Sequence, residues 1–161
     1  MSDIVIGIAD LRVSKNVNDA LVTYALGSCV GVAVYDPVVK VGGLLHYMLP
    51  ESAIDRNKAQ GNPEMFADTA VPLLFTSCYA LGAQKRRMVV KVAGGANLID
   101  DVHCFRIGQK NLTALRRIFW RNRVMIDAAD TGRSCNRTMR LNLDTGAVFV
   151  RIAGGTMEEL K

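Results

Sequence analysis

Cys29 in LGSCV and His46 in GGLLHYMLP are the side chains of this sequence best suited to covalent chemistry. A cysteine beside a histidine can titrate as a thiolate–imidazolium pair, because each charged form stabilises the other. Such a pair supplies a nucleophile and, in the same proton, an acid for the leaving group. Gly27 and Ser28, immediately before Cys29, offer an exposed turn whose backbone N–H groups suit an oxyanion. A plainer account also fits: a small buried cysteine and a core histidine on a strand. Spacing alone leaves both accounts open, and the separation is too long for a local ligand motif. The chain between them must fold back.

The pattern around them predicts that fold-back. VGVAVYD (30–36) and VGGLLHYML (41–49) are apolar runs of strand composition, with Pro37 placed as the second residue of a type I turn beginning at Asp36. An antiparallel hairpin across a loop from Asp36 to Val39 sets Tyr35 opposite Lys40 and Cys29 opposite His46. Directly opposed residues have Cβ atoms about 4.5–5.5 Å apart, close enough for a thiol–imidazole contact. A slip of one residue would put the two on opposite faces.

The remaining elements follow from periodicity and punctuation. IVIGIAD (4–10) and LVTYAL (21–26) read as strands joined by a polar loop around Lys15–Asp19. PESAIDRNKAQGNP carries no core pattern. EMFADTAVPLLFTSCYALG reads as a helix with Met65, Ala70, Leu73, Leu74, Ser77 and Leu81 on one face. Pro72 is tolerable there if the helix starts near Asp68 or Thr69. RMVVKVAGG is a strand, and GQKNLTALRRIFWRNR is a helix with Leu112, Leu115 and Phe119 on one face. VMIDAAD, TMRLNLD and AVFVRIA are strands. Consecutive strands with two main helices predict an α+β fold, a layered sandwich of mixed or antiparallel sheets, in one domain over 1–161.

Composition narrows the function classes. Half the residues are apolar and 22% are charged, which is globular rather than disordered. The N-terminus lacks a signal-peptide pattern, and the longest apolar stretch, AVPLLFTSCYALGA, falls short of the roughly 20 residues of a membrane span. A cytoplasmic location without membrane insertion is expected, which suits Cys29, Cys78, Cys104 and Cys135 as free thiols. No zinc spacing joins them to His46 and His103, so neither a metal nor a cofactor is expected. In an extended segment the adjacent His103 and Cys104 would point to opposite faces. The net charge of +5 concentrates in QKRR, RRIFWRNR and RSCNRTMR. With 6% aromatic residues and no nucleic-acid signature, no nucleic-acid partner is expected.

Taken together, IVIGIAD, VTYALGSCVGVAVYDP, KVGGLLHYMLP, FADTAV, VKVAGGANL, IGQKNLTAL, DAADTG and TGAVFVRI resemble the CheD family almost end to end. These are the chemoreceptor glutamine deamidases of bacterial and archaeal chemotaxis. The resemblance implies a cysteine hydrolase that converts receptor glutamines to glutamates with release of ammonia. It also implies a fold similar to the catalytic domains of deamidating toxins, and a CheC-type phosphatase of the response regulator as partner. Of the family's functional residues, the nucleophile falls on Cys29, the histidine on His46 and a third polar residue on Thr23, where it would hold the imidazole. The alternative within that resemblance is a regulatory module that stimulates the phosphatase, with catalysis secondary. Two departures stand out: Arg133 where relatives usually carry a second glycine after Thr131-Gly132, and Pro72.

Overall fold

The computed structural model describes residues 1–97 and 106–161, so His103 and Cys104 lie outside the described residues. Among the described residues, ten strands form two mixed five-stranded sheets. The first sheet orders β1 (Ser2–Ile6), β3 (Asp19–Leu26), β8 (Arg137–Asn142), β9 (Val148–Ile152) and β10 (Glu158–Glu159). The second orders β2 (Asp10–Ser14), β5 (Val41–Tyr47), β4 (Val30–Asp36), β6 (Val89–Gly94) and β7 (Ala128–Thr131). β1 with β3 and β6 with β7 run parallel, and the other pairs are antiparallel. The layered α+β architecture expected from the pattern is therefore present.

Side-chain alternation along the second sheet explains its apolar runs. Val30, Val32, Val34, Val41, Leu45 and Tyr47 face a helical layer. That layer is α2 (Ala67–Ala80) and α3 (Ile107–Arg121). The residues between them, Ala33, Tyr35 and Leu44, face the first sheet and meet Leu21, Leu26, Met139 and Leu141. β4 and β5 are thus buried on both faces. α2 packs so closely on β5 that a Cβ at Gly43 would stand 2.7 Å from Leu74 Cδ1 and 2.9 Å from Val13 Cγ1.

The hairpin forms, but its register differs from the expected one by two residues: Tyr35 faces Gly42 and Gly31 faces His46. The loop is Pro37 to Lys40, because Asp36 stays in the ladder opposite Val41. Its buried carboxylate accepts from Val38 N (3.0 Å), Gln84 N (2.9 Å) and Arg87 Nε (3.0 Å). Burial alone would raise the Asp36 pKa. The Arg87 guanidinium and the two amides outweigh it and hold the carboxyl below its ordinary range.

Other boundaries moved for identifiable reasons. The stretch read as one strand over 4–10 is two, broken at Gly7–Ala9 where Ala9 adopts φ 56°. β2 runs on to Ser14 and stops just before the polar loop read around Lys15–Asp19. The 50–63 stretch contains a short helix, α1 (Arg56–Gly61), capped by Asp55, whose side chain accepts from Lys58 N. α2 begins at Ala67, so Pro72 lies beyond the first turn and leaves the Asp68 carbonyl without its helical donor. The buried stripe of α2 is Ala67, Ala70, Val71, Leu74, Phe75 and Cys78, displaced from the face read in the sequence. Arg133 has φ 59°, the left-handed region where a glycine is favoured, and its guanidinium pairs with Asp130 at 2.7 Å. Arg133 thus occupies a left-handed turn position held by its ion pair with Asp130. No helix among the described residues is long and apolar enough to cross a membrane.

Candidate active site

β5 brings His46 to the site. It lies on the inter-sheet face of the strand, in step with Leu44, and is completely buried. β3 contributes Thr23, also completely buried, from the facing surface of the first sheet. Thr23 Oγ1 lies 2.7 Å from His46 Nδ1 and 2.8 Å from the Ile6 carbonyl oxygen. A hydroxyl has one proton, and the carbonyl can only accept it. Toward His46 the threonine oxygen must then accept, so Nδ1 carries the ring proton. In the neutral ring the lone pair is left on Nε2. That nitrogen is buried and has no hydrogen-bond partner among the described residues.

Cys29 immediately precedes β4 and is half-buried against the inter-sheet core. It continues the parity of Gly31, Ala33 and Tyr35, so it lies on the same side of the sheet as His46. The two-residue register shift preserves that relation, since faces alternate with period two. It makes Cys29 a diagonal neighbour of His46 rather than a directly opposed one. Diagonal pairs lie about 7–8 Å apart, still within reach of long side chains.

The loop carrying Cys29 is held by all three of its carbonyls. Gly27 O accepts from Ala96 N (2.9 Å) and Cys29 O from Gly95 N (2.8 Å). Ser28 O accepts from Asn111 Nδ2 (2.9 Å). The same amide nitrogen donates to Met48 O (2.8 Å), and Tyr47 Oη donates to the Asn111 carbonyl (2.7 Å). Completely buried on α3, Asn111 ties the Cys29 loop to the end of the His46 strand. Gly94 permits the approach of this loop: it has φ 106°, and a Cβ there would run into the Cys29 carbonyl oxygen.

Among the backbone donors expected here, the Gly27 amide is already bonded to Ala25 O at 3.0 Å. The Ser28 and Cys29 amides donate to no acceptor among the described residues, and these two remain for an oxyanion. Burial pushes the Cys29 thiol up to about 11 and the His46 imidazole down to about 4. The site at rest is therefore a neutral thiol and a neutral imidazole between those limits, rather than the ion pair that the residue types allow.

Cys78 is buried in the helical layer, with its thiol pushed up to about 12, and Cys135 is half-buried in the β7–β8 connection. Neither is part of this arrangement. The described residues contain no cluster of three or more metal-ligating side chains.

A family model described as CheD chemotactic sensory transduction matches residues 48–152. The chain is 61% identical over 160 residues to the "Probable chemoreceptor glutamine deamidase CheD 1" of Syntrophus aciditrophicus, covering 99% of this chain and 100% of the relative. The chain belongs to the CheD family. Other CheD relatives, each named "Probable chemoreceptor glutamine deamidase CheD", match over nearly the same span. That of Solibacter usitatus is 41% identical, covering 98% of this chain and 94% of its own. The Pyrococcus horikoshii relative is 42% identical, covering 94% and 93%. The family-model match begins just after His46, whereas these relatives extend across the segment with Thr23, Cys29 and His46.

Thr23 gives a test of the hydrogen-bond chain. Thr23→Val removes the hydroxyl at nearly constant volume and leaves Nδ1–H and the Ile6 carbonyl unpartnered. Losing about 1–3 kcal/mol of orientation corresponds to roughly a 5–150-fold fall in turnover. Turnover should stay above that of Cys29→Ala and recover in Thr23→Ser. A Thr23→Val rate no higher than that of Cys29→Ala would place Thr23 in the chemistry itself.

Proposed function

We propose that this chain is a cytoplasmic protein-glutamine deamidase of chemotaxis receptors, formed by one CheD-like domain with Cys29 as nucleophile. The observation that carries the reading is the Thr23–His46 hydrogen bond, which leaves Nε2 as a free base on the face that bears Cys29. His46 Nε2 takes the Cys29 proton as sulfur attacks the side-chain amide carbon. The oxyanion forms against the Ser28 and Cys29 amides. Protonated Nε2 then gives its proton to the departing nitrogen, releasing ammonia and leaving a thioester. Water gives a proton to Nε2 and attacks the thioester, yielding glutamate and returning the thiol. The names of the relatives supply the substrate, and no step calls for a metal or cofactor.

The experiment is mass spectrometry of a receptor cytoplasmic fragment incubated with the protein. Each modified glutamine should gain about one dalton, with one ammonia released. An unchanged fragment, tested across the receptors of the same organism, would overturn the reading.

A CheC-type phosphatase is the second proposed partner, docking on the surface around Cys29. A site that admits a glutamine from a protein surface is already a protein-docking surface, so this partner should compete with receptor. Deamidation should fall as phosphatase is titrated in. Simultaneous binding with deamidation unchanged would place the phosphatase elsewhere.

A further inference from the structure

Two basic runs distant in sequence, QKRR (84–87) and RRIFWRNR (116–123), converge at the end of the helical layer. Lys85 Nζ donates to the Asn122 carbonyl at the C-terminus of α3, which pins the two runs together. Between them lie two adjoining depressions of about 520 and 190 Å³, sharing Phe75, Lys85 and Val124. Their floor is apolar. Phe75 packs edge-on against both Phe119 and Tyr79, with ring centroids 6.0 and 6.3 Å apart. Val71 and Ile118 extend the same surface. Tyr79 is 37% exposed and Met125 79% exposed, leaving apolar area open to a partner.

The rim is cationic. Lys85, Arg86 and Arg123 are exposed around the groove, and Arg123 makes no ion pair among the described residues. Asp127 is the one carboxylate lining it among the described residues, and Asp127 Oδ2 accepts from Val90 N at 2.7 Å. An apolar floor within a ring of positive charge matches a peptide whose apolar side chains anchor it and whose carboxylates meet the rim. Within the groove a nucleic acid would find one partly exposed ring, Tyr79, since Phe75 and Phe119 are buried edge to edge and the exposed Trp120 does not line it. A membrane surface would engage a protruding patch, and this one is recessed.

The groove also stands away from Cys29. Val90 pairs with Val34, and Arg87 holds Asp36, at the end of β4 opposite Cys29. Seven strand residues separate the two ends by about 20 Å. We propose that the groove between the C-terminal ends of α2 and α3 docks an acidic peptide segment with apolar anchors, supplied by a partner protein, while Cys29 stays open. The proposal does not depend on the deamidase reading.

The test uses the full chain and four labelled probes, read by fluorescence anisotropy. These are a short peptide with leucines at helical spacing and glutamates elsewhere, its lysine counterpart, a deoxythymidine oligonucleotide, and phosphatidylcholine–phosphatidylserine vesicles. The glutamate peptide should bind saturably, more weakly at higher salt, and at least about tenfold more weakly to Arg86→Glu/Arg123→Glu. That variant keeps Lys85 and its cap on α3, and circular dichroism checks its fold. Met125→Asp should weaken binding as well. Alkylation of Cys29 by iodoacetamide should proceed at the same rate with the peptide bound. Failure of the glutamate peptide to bind, equal binding to the charge-reversed protein, or tighter binding of the lysine peptide, oligonucleotide or vesicles would overturn the proposal. Protection of Cys29 by bound peptide would overturn its separation from the site.

Discussion

Cys29→Ala should abolish ammonia release and the mass gain on receptor glutamine while leaving the protein folded. The thiol is the nucleophile of the proposed mechanism, and without it that covalent route is closed. The expected loss is on the order of 10⁴-fold or more, to the background rate. Folding should survive because Cys29 is half-buried at the edge of the inter-sheet core, outside any strand, and its loop is held by backbone carbonyls rather than by sulfur. Replacing Cys78, Cys104 and Cys135 together with serine should leave the soluble protein active. Deamidation by Cys29→Ala at the parent rate would refute the mechanism. A folded but inactive triple variant would assign one of the other thiols a part in it.

The second large effect concerns His46, and its signature is a pH profile. Loss of the base and leaving-group acid in His46→Ala should lower turnover by about 10²–10⁴-fold. Because burial depresses the imidazole to about 4, the neutral ring persists well below the ordinary histidine range. The acid limb of kcat/KM in the parent protein should accordingly fall near pH 4, where Nε2 becomes protonated and can no longer accept the thiol proton. The thiol, raised to about 11, should hold the plateau through neutral and mildly alkaline pH. An acid limb near pH 6.5 would show a solvated imidazole. Rapid thiol alkylation at neutral pH, independent of pH, would show a preformed thiolate–imidazolium pair.

The sequence exposed parts of this arrangement unequally. Strand runs bounded by Pro37 and the glycines made β4 and β5 legible, and with them the shared face of Cys29 and His46. Their register was not legible, because the carboxylate that keeps Asp36 in the ladder is bound by Arg87 and Gln84, far along the chain. Thr23 carried no signal of its own beyond a β-branched strand residue. Its role came from the family resemblance, and the Ile6 carbonyl that fixes its proton could not be foreseen without the pairing of β1 with β3. Asn111 did leave a trace: an amide on the apolar stripe of Gly108, Leu112, Leu115 and Phe119. A buried polar side chain on such a stripe calls for specific partners, and here they are the carbonyls of Ser28 and Met48. The depressed histidine and raised thiol depend on burial between two sheets, which residue types alone do not report.

The covalent step can be tested through its intermediate. A glutamyl thioester on Cys29 partitions between water and any better nucleophile present, so hydroxylamine added during turnover should divert product to the glutamyl hydroxamate. Mass spectrometry of the receptor fragment should then show hydroxamate rising with hydroxylamine at the same glutamines that otherwise become glutamate, and neither product with Cys29→Ala. Glutamate formed at an undiminished rate with no hydroxamate at any hydroxylamine concentration would mean that water attacks the amide directly, and would contradict a Cys29 acyl-enzyme.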